Sequence, residues 1–261
     1  MLETGPDSDS IRFNSRKIGR PVAVLPRLGP GNYENGLMIV AHFESIGVPV
    51  CNTSESIALA RDTYLSLLAF KEAHLRTPRT ARLLSLKDLK IAYRIIPGPP
   101  WILKTFTGAM GIGTMLLWRK DQLEAVAATL WALGQPILMQ EFVRTSSDRI
   151  ADIRALVIGG KVVGAIRRSA SAGEFRANVH RGGIPEAIKL GGKEERIARK
   201  AAEAISLDIA GIDWIETGEG PVLMEANATP GFQGFESATG VDVAALIVDF
   251  AVKRGSLKKE R

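Results

Sequence analysis

The sequence predicts a mixed α/β (α+β) fold, and three observations carry that prediction. Two short apolar runs, Val22–Leu25 and Val48–Cys51, flank a helical stretch, Asn35–Ser45, in the strand–helix–strand order of an α/β layer. Two later stretches read as β-hairpins: Asp152–Arg168, folded at Gly159-Gly160, and Ile209–Ala226, folded at Thr217-Gly218-Glu219-Gly220-Pro221. Between them lies an amphipathic helix, Lys193–Leu207, with Ile197, Ala201, Ala204 and Ile205 on one face.

Taken in order, residues 1–20 are polar and expected to be partly mobile. After the strand–helix–strand stretch, Ser56–Leu75 has helical spacing, with Leu59, Leu67, Leu68 and Phe70 among its apolar positions, and Thr77-Pro78 ends it. A mixed segment, 80–99, closes at the boundary Pro97-Gly98-Pro99-Pro100. Trp101–Lys104 is a strand, Thr105–Thr114 is glycine-rich, and Thr114–Trp118 is a second apolar run. Asp121 is placed to cap a helix reaching Leu133, with Leu123, Val126, Ala127, Leu130 and Trp131 at core spacing. Pro136 precedes a strand, Ile137–Val143, and Thr145–Arg149 is a polar loop. Ser169–Gly183 reads as a polar loop carrying Arg176, Asn178, His180 and Arg181. Thr229–Gly240 is a glycine-rich loop, and Val241–Arg254 a closing helix.

The chain has 261 residues, 46% hydrophobic and 24% charged, as ordinary globular domains do. No apolar run approaches a membrane span, and the polar, acidic N-terminus MLETGPDSDS is not a secretory signal. One cysteine, Cys51, excludes an internal disulfide and fits a reducing cytoplasm. Asn52-Thr53-Ser54 matches a glycosylation sequon that such a compartment would not use. The net charge of +6 is dispersed, apart from Lys258-Lys259-Glu260-Arg261, so it suits anionic small molecules or acidic tails at least as well as nucleic acid. No Cys/His cluster, GxSxG elbow or internal repeat is present.

Two stretches carry chemistry. With the second hairpin centred on Glu219, Asp213 falls opposite Glu225 and Ile215 opposite Leu223. Side chains alternate along a strand, so Asp213, Glu225 and Asn227 share one face, and Ile212, Trp214, Val222 and Met224 share the other as a core layer. Facing carboxylates repel unless a cation lies between them, and all-oxygen donors suit Mg²⁺ or Mn²⁺. The competing reading is the solvated polar face of an edge hairpin. The second stretch is Lys104 closing a strand before Gly108, Gly111 and Gly113. Glycines let backbone N–H groups approach phosphate oxygens, and the ammonium adds a point charge. An apolar strand rather than a helix follows, which excludes a Walker loop, while an ordinary hairpin turn stays open.

Lys104, the glycine loop, Gln140-Glu141-Phe142, Asp152-x-Arg154, the phrase FRANVHRGG over 175–183, Ala210-Gly211-x-Asp213 and the phrase MEANATPGF over 224–232 occur in that order. The ordered set resembles the ATP-grasp superfamily, and within it the RimK-like branch of carboxylate–amine ligases that add glutamate or similar amino acids. The resemblance covers about residues 9–254.

The resemblance implies an ATP-grasp fold of two α+β subdomains gripping the nucleotide: 1–55 as a truncated N-terminal α/β segment, 56–135 as linker helix and central subdomain, and 136–261 as the C-terminal subdomain with the metal site. It implies ATP and Mg²⁺ or Mn²⁺, two ions, as cofactors. Lys104 would touch the α/β phosphates, under the loop of Gly108, Gly111 and Gly113. Gln140, Glu141, Phe142 and Val143 would hold the adenine edge, and Asp152 would lie by the ribose. Arg154, Arg176, Ala177 and Asn178 would meet the phosphates and an acyl-phosphate intermediate. Asp213, Glu225 and Asn227 would bind the ions. Arg168, His180, Arg181 and the loop from Pro230 through Gly231 to Glu236 would shape the amino-acid site. Glutamate and a carboxylate acceptor are the implied substrates, with no covalent enzyme nucleophile, no membrane and no nucleic acid.

Two features depart from the family pattern. The helical Arg61-Asp62 pair is followed by Thr63 where the family usually has a lysine, which predicts weaker ATP binding. Residues 9–55 match only the last part of the family's N-terminal layer, which predicts an exposed sheet edge and a homo-oligomer, dimer or tetramer, that covers it. Alternatives are a nucleotide-binding module without ligase activity, and a ligase using another amino acid on a carrier protein or precursor peptide.

Overall fold

The computed structural model describes residues 2–3, 10–105, 113–146, 150–170 and 184–257. Its centre is two antiparallel sheets, one of four strands and one of five.

The chain opens with a small antiparallel sheet of β1 (Leu2–Glu3), β2 (Ser10–Phe13) and β3 (Arg16–Lys17) in the stretch expected to be polar and partly mobile. Asn14 and Ser15 between β2 and β3 both have positive φ, the geometry of a tight two-residue hairpin turn. The expected strands at 22–25 and 48–51 reduce to one parallel bridge, Val24 to Val50, around α1 (Tyr33–Ser45). The single helix expected over 56–75 is two, α2 (Ser54–Arg61) and α3 (Thr63–Glu72). The break is at Asp62, whose extended backbone leaves its carboxylate free to accept from the Tyr64 and Leu65 amides and cap α3.

The four-stranded sheet has the order β4 (Thr80–Leu83), β7 (Ile137–Glu141), β5 (Trp101–Thr105), β6 (Thr114–Leu117). Strand β4 lies in the stretch read only as mixed. Leu83, Trp101, Leu103, Ile137 and Met139 form one face and pack under α4 (Leu89–Ile95) and α5 (Lys120–Ala132) with Leu123 and Ala127. Arg119, not Asp121, occupies the N-cap position of α5; it makes no side-chain capping bond, and its guanidinium donates to Asp121 instead.

The five-stranded sheet has the order β10 (Ile184–Ile188), β9 (Lys161–Ser169), β8 (Ala151–Ile158), β11 (Ile209–Thr217), β12 (Gly220–Asn227). Ile153, Ala155, Val157, Ile212 and Trp214 cover one face with Ala198, Ala201 and Ala202 of α6 (Gly192–Ala204) and with Leu67 and Phe70 of α3. The opposite face is divided along its length. At one end Leu156, Ile158 and Ile209 pack beneath Phe235 of α7 (Gln233–Thr239) and Val243, Ile247 and Ala251 of α8 (Val243–Leu257). The other end is polar. Helix α7 lies inside the stretch expected to be a glycine-rich loop, and Gly240 at φ 70° ends it.

The β11–β12 hairpin corrects one expectation. Its turn is two residues, Gly218-Glu219, and a bulge at Met224 lies between the Asp213–Glu225 and Trp214–Leu223 pairs. An extra residue reverses the alternation on the turn side. Asp213 does face Glu225, but Ile215 pairs with Val222, and Leu223 rather than Met224 joins Trp214 in the core. No helix among the described residues is long and apolar enough to cross a membrane.

Candidate active site

Strand β5 alternates. Trp101 and Leu103 enter the core under α4 and α5, so Ile102 and Lys104 occupy the face turned away from it. Burial holds the Lys104 ammonium below its ordinary pKa, and Glu225 of the other sheet pulls it back up. The Lys104 ammonium of one sheet and the Glu225 carboxylate of the other are therefore close enough to interact. Gly113, at φ 80°, closes the β5–β6 hairpin, its carbonyl accepting from the Thr105 amide at 3.0 Å. Few residues other than glycine adopt that conformation without strain. Gly108 and Gly111 lie outside the described residues.

The polar end of the five-stranded sheet is assembled by register. Arg154 of β8 pairs with Asp213 of β11, and Asp213 with Glu225 of β12, forming one row across three strands. Asp152 pairs with Arg168 on β9 in the next row. The side chains make an alternating chain of charges. Arg154 donates Nε and Nη2 to Asp213 at 2.7 and 2.5 Å, and Arg168 donates to Asp152 at 2.6 and 2.7 Å. Arg168 also reaches Asp213, at 3.0 Å. The Asn227 amide lies 3.3 Å from Asp213 and 3.2 Å from Glu225. Gly211, opposite Asn227, leaves room for this packing: a Cβ there would lie 3.0 Å from Pro230 and 3.6 Å from Arg154.

The two carboxylates differ. Burial acts to raise the pKa of Asp213, but Arg154 and then Arg168 outweigh it and hold the acid well below the usual range. For Glu225, burial comes first and the charge of Asp213 adds to it, so its pKa is raised despite Arg154 and Lys104. The Asp213 side chain is only 3% exposed and that of Glu225 45%: Glu225 is crowded by protein yet open to solvent. With the Asn227 amide, the set offers a hard divalent cation oxygen donors only, and an incoming cation would relieve Glu225 directly. The residues therefore fit Mg²⁺ or Mn²⁺. Among the described residues no cluster of three His, Cys, Asp or Glu side chains offers another metal site.

Arg168 is placed otherwise than a pocket-lining residue. Its side chain is 4% exposed and is spent on Asp152 and Asp213, so it braces the acidic row from behind. Gln140 is buried, donating Nε2 to Thr80 Oγ1 at 2.8 Å, while its Oε1 has no partner among the described residues. Glu141 ends β7, and its carboxylate accepts from the Arg79 amide at 2.8 Å, leaving Phe142 and Val143 in the coil beyond. Gly231 is exposed after β12, while Glu236 turns away and accepts from the Val243 and Ala244 amides at the start of α8. Arg176, Ala177, Asn178, His180 and Arg181 lie outside the described residues.

Sequence reasoning missed two supports. Asn52, the sequon residue, is buried: its amide donates to the carbonyls of Ile209 and Ala228 at 2.8 Å and accepts from the Ile209 amide at 2.9 Å. Arg27 donates to the Pro230 carbonyl at 2.9 Å and stacks its guanidinium 5.1 Å from the Phe232 ring. Both tie the N-terminal segment to the exit of β12, and neither has a local sequence signal.

Comparison with known proteins is consistent with this geometry. Residues 60–251 match the model of the RimK-like ATP-grasp domain. A probable alpha-L-glutamate ligase of Serratia proteamaculans (strain 568) is 36% identical over 254 residues, 97% of this chain and 84% of that protein. A probable alpha-L-glutamate ligase of Parasynechococcus marenigrum (strain WH8102) is 38% identical over 95% of this chain, which spans 53% of that longer protein. The ATP-grasp ligase PsnB, solved with a minimal precursor, superposes with a TM-score of 0.74 at 22% identity, covering 98% of this chain and 86% of PsnB, a likeness of fold. With 36% identity over nearly the whole chain and a family model over most of it, the protein belongs to the RimK-like ATP-grasp family of ATP-dependent carboxylate–amine ligases.

Proposed function

We propose that the chain adds glutamate to a carboxylate acceptor, using ATP and Mg²⁺ and an acyl-phosphate intermediate, with the nucleotide held between the four-stranded and five-stranded sheets. The observation that carries this reading is the row Arg154–Asp213–Glu225 with Asn227 beside it, and Lys104 of the other sheet within electrostatic reach of Glu225. The relatives named as probable alpha-L-glutamate ligases support glutamate as the amino acid.

The chemistry asks for cations and dryness. An acceptor carboxylate approaching an anionic γ-phosphate is repelled unless both charges are neutralised. Lys104 would neutralise the α/β phosphates, and Arg154, Arg176 and Asn178 the transferring phosphoryl group. Asp213, Glu225 and Asn227 would hold Mg²⁺, which supplies further charge neutralisation when bound. The carboxylate oxygen forms a bond to phosphorus as the bond to ADP breaks. The amine of glutamate then attacks the acyl carbon, phosphate leaves, and the amine loses a proton to give the amide. The loop of Gly108, Gly111 and Gly113 would close over the site and keep water from the intermediate. Gln140, Glu141, Phe142 and Val143 would frame the adenine, Asp152 would lie by the ribose, and His180, Arg181 and Gly231 would meet the substrates. In this reading residues 1–55, 56–135 and 136–261 are the N-terminal segment, the central subdomain and the C-terminal subdomain.

The test is ADP release with Mg²⁺, glutamate and a panel of acceptors, each acceptor followed by mass for the added residue. Glu225→Ala is expected to lower the rate about a thousand-fold. Turnover of that variant at the parent rate would defeat the metal assignment, and ADP release with every amino acid except glutamate would defeat the substrate.

A further inference from the structure

We propose that Arg82 is a second cation of the nucleotide cleft, binding phosphate oxygens of the nucleotide beside Lys104; the inference rests on the placement of the nucleotide between the two sheets. In β4, Thr80 pairs with Gln140 and Arg82 with Leu138. In β5, Ile102 pairs with Gln140 and Lys104 with Leu138. Directly paired residues of antiparallel strands project to the same side. Arg82, Leu138 and Lys104 therefore form one row, and Thr80, Gln140 and Ile102 the next, on a single face. The hydrogen bond from Gln140 Nε2 to Thr80 Oγ1 shows that face directly.

The opposite face is spoken for: Leu83, Trp101, Leu103, Ile137 and Met139 are buried in the core with Leu123 and Ala127. The face of Arg82 and Lys104 is the one that looks toward the five-stranded sheet, since Lys104 is electrostatically coupled to Glu225. Two strand spacings separate the two cations, about 10 Å from backbone to backbone. Both side chains are long, so a polyphosphate laid across Leu138 lies within reach of each. A guanidinium on such a face is matched to phosphate, presenting planar paired donors where the lysine presents a point charge.

Arg82 is aimed as well as placed. Its Nη1 lies 3.0 Å from Asp62 Oδ2, while Asp62 Oδ1 accepts from the Tyr64 and Leu65 amides. The carboxylate is thus fixed by a helix start, and it fixes the guanidinium in turn. Asp62 lies between α2 and α3, whose Ala60, Leu67 and Phe70 pack in one core with Leu223 and Ala226 of β12. The pair thereby ties the four-stranded sheet to the element that carries Glu225. A tether to Asp62 and a phosphate ligand both use this face, and nucleotide affinity separates them.

The experiment measures the affinities of ADP with Mg²⁺ and of adenosine, the latter in competition, together with melting in the absence of nucleotide. Arg82→Leu is expected to weaken ADP about ten-fold or more and to leave adenosine unchanged. Arg82→Lys is expected to recover most of the loss because it keeps the charge. Should Arg82→Leu fail to fold, Arg82→Gln keeps a donor toward Asp62 and removes only the charge, and it should show the same selective loss. Equal weakening of ADP and adenosine would reduce Arg82 to a tether and overturn the proposal, as would unaltered ADP affinity in a variant that folds. Failure of the parent protein to bind ADP at all would instead overturn the proposed function.

Discussion

The two sheets treat charge in opposite ways. On the five-stranded sheet the charged groups are packed together and satisfied by one another: Arg168 bridges Asp152 and Asp213, and Arg154 takes both oxygens of Asp213. On the four-stranded sheet Lys104 is buried enough for its pKa to fall, and among the described residues it makes no ion pair. The difference teaches where stability ends and function begins. A buried carboxylate row can persist in the folded chain only if arginines neutralise it from behind, so Arg168 is structural even though it lies in the site. Lys104 and Glu225 are left at odds with their surroundings, and such groups are where an incoming ligand of opposite charge gains most.

The contrast can be broken most forcefully at Arg168. Arg168→Met leaves Asp152 and Asp213 buried with a partner lost, and is expected to cost about 3–5 kcal/mol by urea denaturation. A loss below about 1 kcal/mol would show that the network does not carry the fold. Lys104→Met should do the reverse. Stability should change by less than about 1 kcal/mol, while ADP formation at saturating acceptor falls about a hundred-fold or more. A large drop in melting temperature with activity retained would erase the distinction between the sheets.

The smallest effect separates Glu225 from Asp213 by pH. The pKa of Glu225 is raised in the folded state, so its protonated form is favoured there, and its contribution to stability is lost as pH rises from the ordinary glutamate range through the folded value. Asp213 has the opposite sign: its contribution is present above the ordinary aspartate pKa and is lost as pH falls. Glu225→Gln should therefore stabilise the nucleotide-free protein at pH 7, by about 1 kcal/mol or less because the side chain is partly exposed. The gain should vanish near pH 4, below the ordinary glutamate pKa of about 4.3. Thermal melts across that range check it, and a stabilisation that persists into acid would remove the strain assigned to Glu225.

Much of the site was legible because hairpin arithmetic is local. A turn centred on Glu219 places Asp213 opposite Glu225, and the apolar run Trp101–Leu103 gives the strand that carries Lys104. The actual turn, Gly218-Glu219, would by itself set Asp213 opposite Met224, and the bulge at Met224 is what brings Glu225 there. A bulge is chosen by packing against α3 and α6, and no residue within the hairpin announces it. The helix expected across 56–75 broke at Asp62 for a related reason: a capping carboxylate and a helical one look alike until its partner Arg82 is in place. Helix α7 was hidden by glycines at Gly231, Gly234 and Gly240, though only Gly240 needs positive φ.

By itself the sequence determined the two later hairpins, the amphipathic helix between them and the ordered motifs of the family, because each depends on residues within a few positions of one another. Only the tertiary structure decided which cations answer which carboxylates. Arg154 and Arg168 reach Asp213 from β8 and β9, and Arg82 reaches Asp62 across the join between β4 and α3. Asn52 holds Ile209 and Ala228 from more than 150 positions away. The physical reason is common to all of them. A charge or amide buried far along the chain is stabilised by whatever the fold brings beside it, and that proximity is fixed by sheet order and core packing rather than by any local pattern.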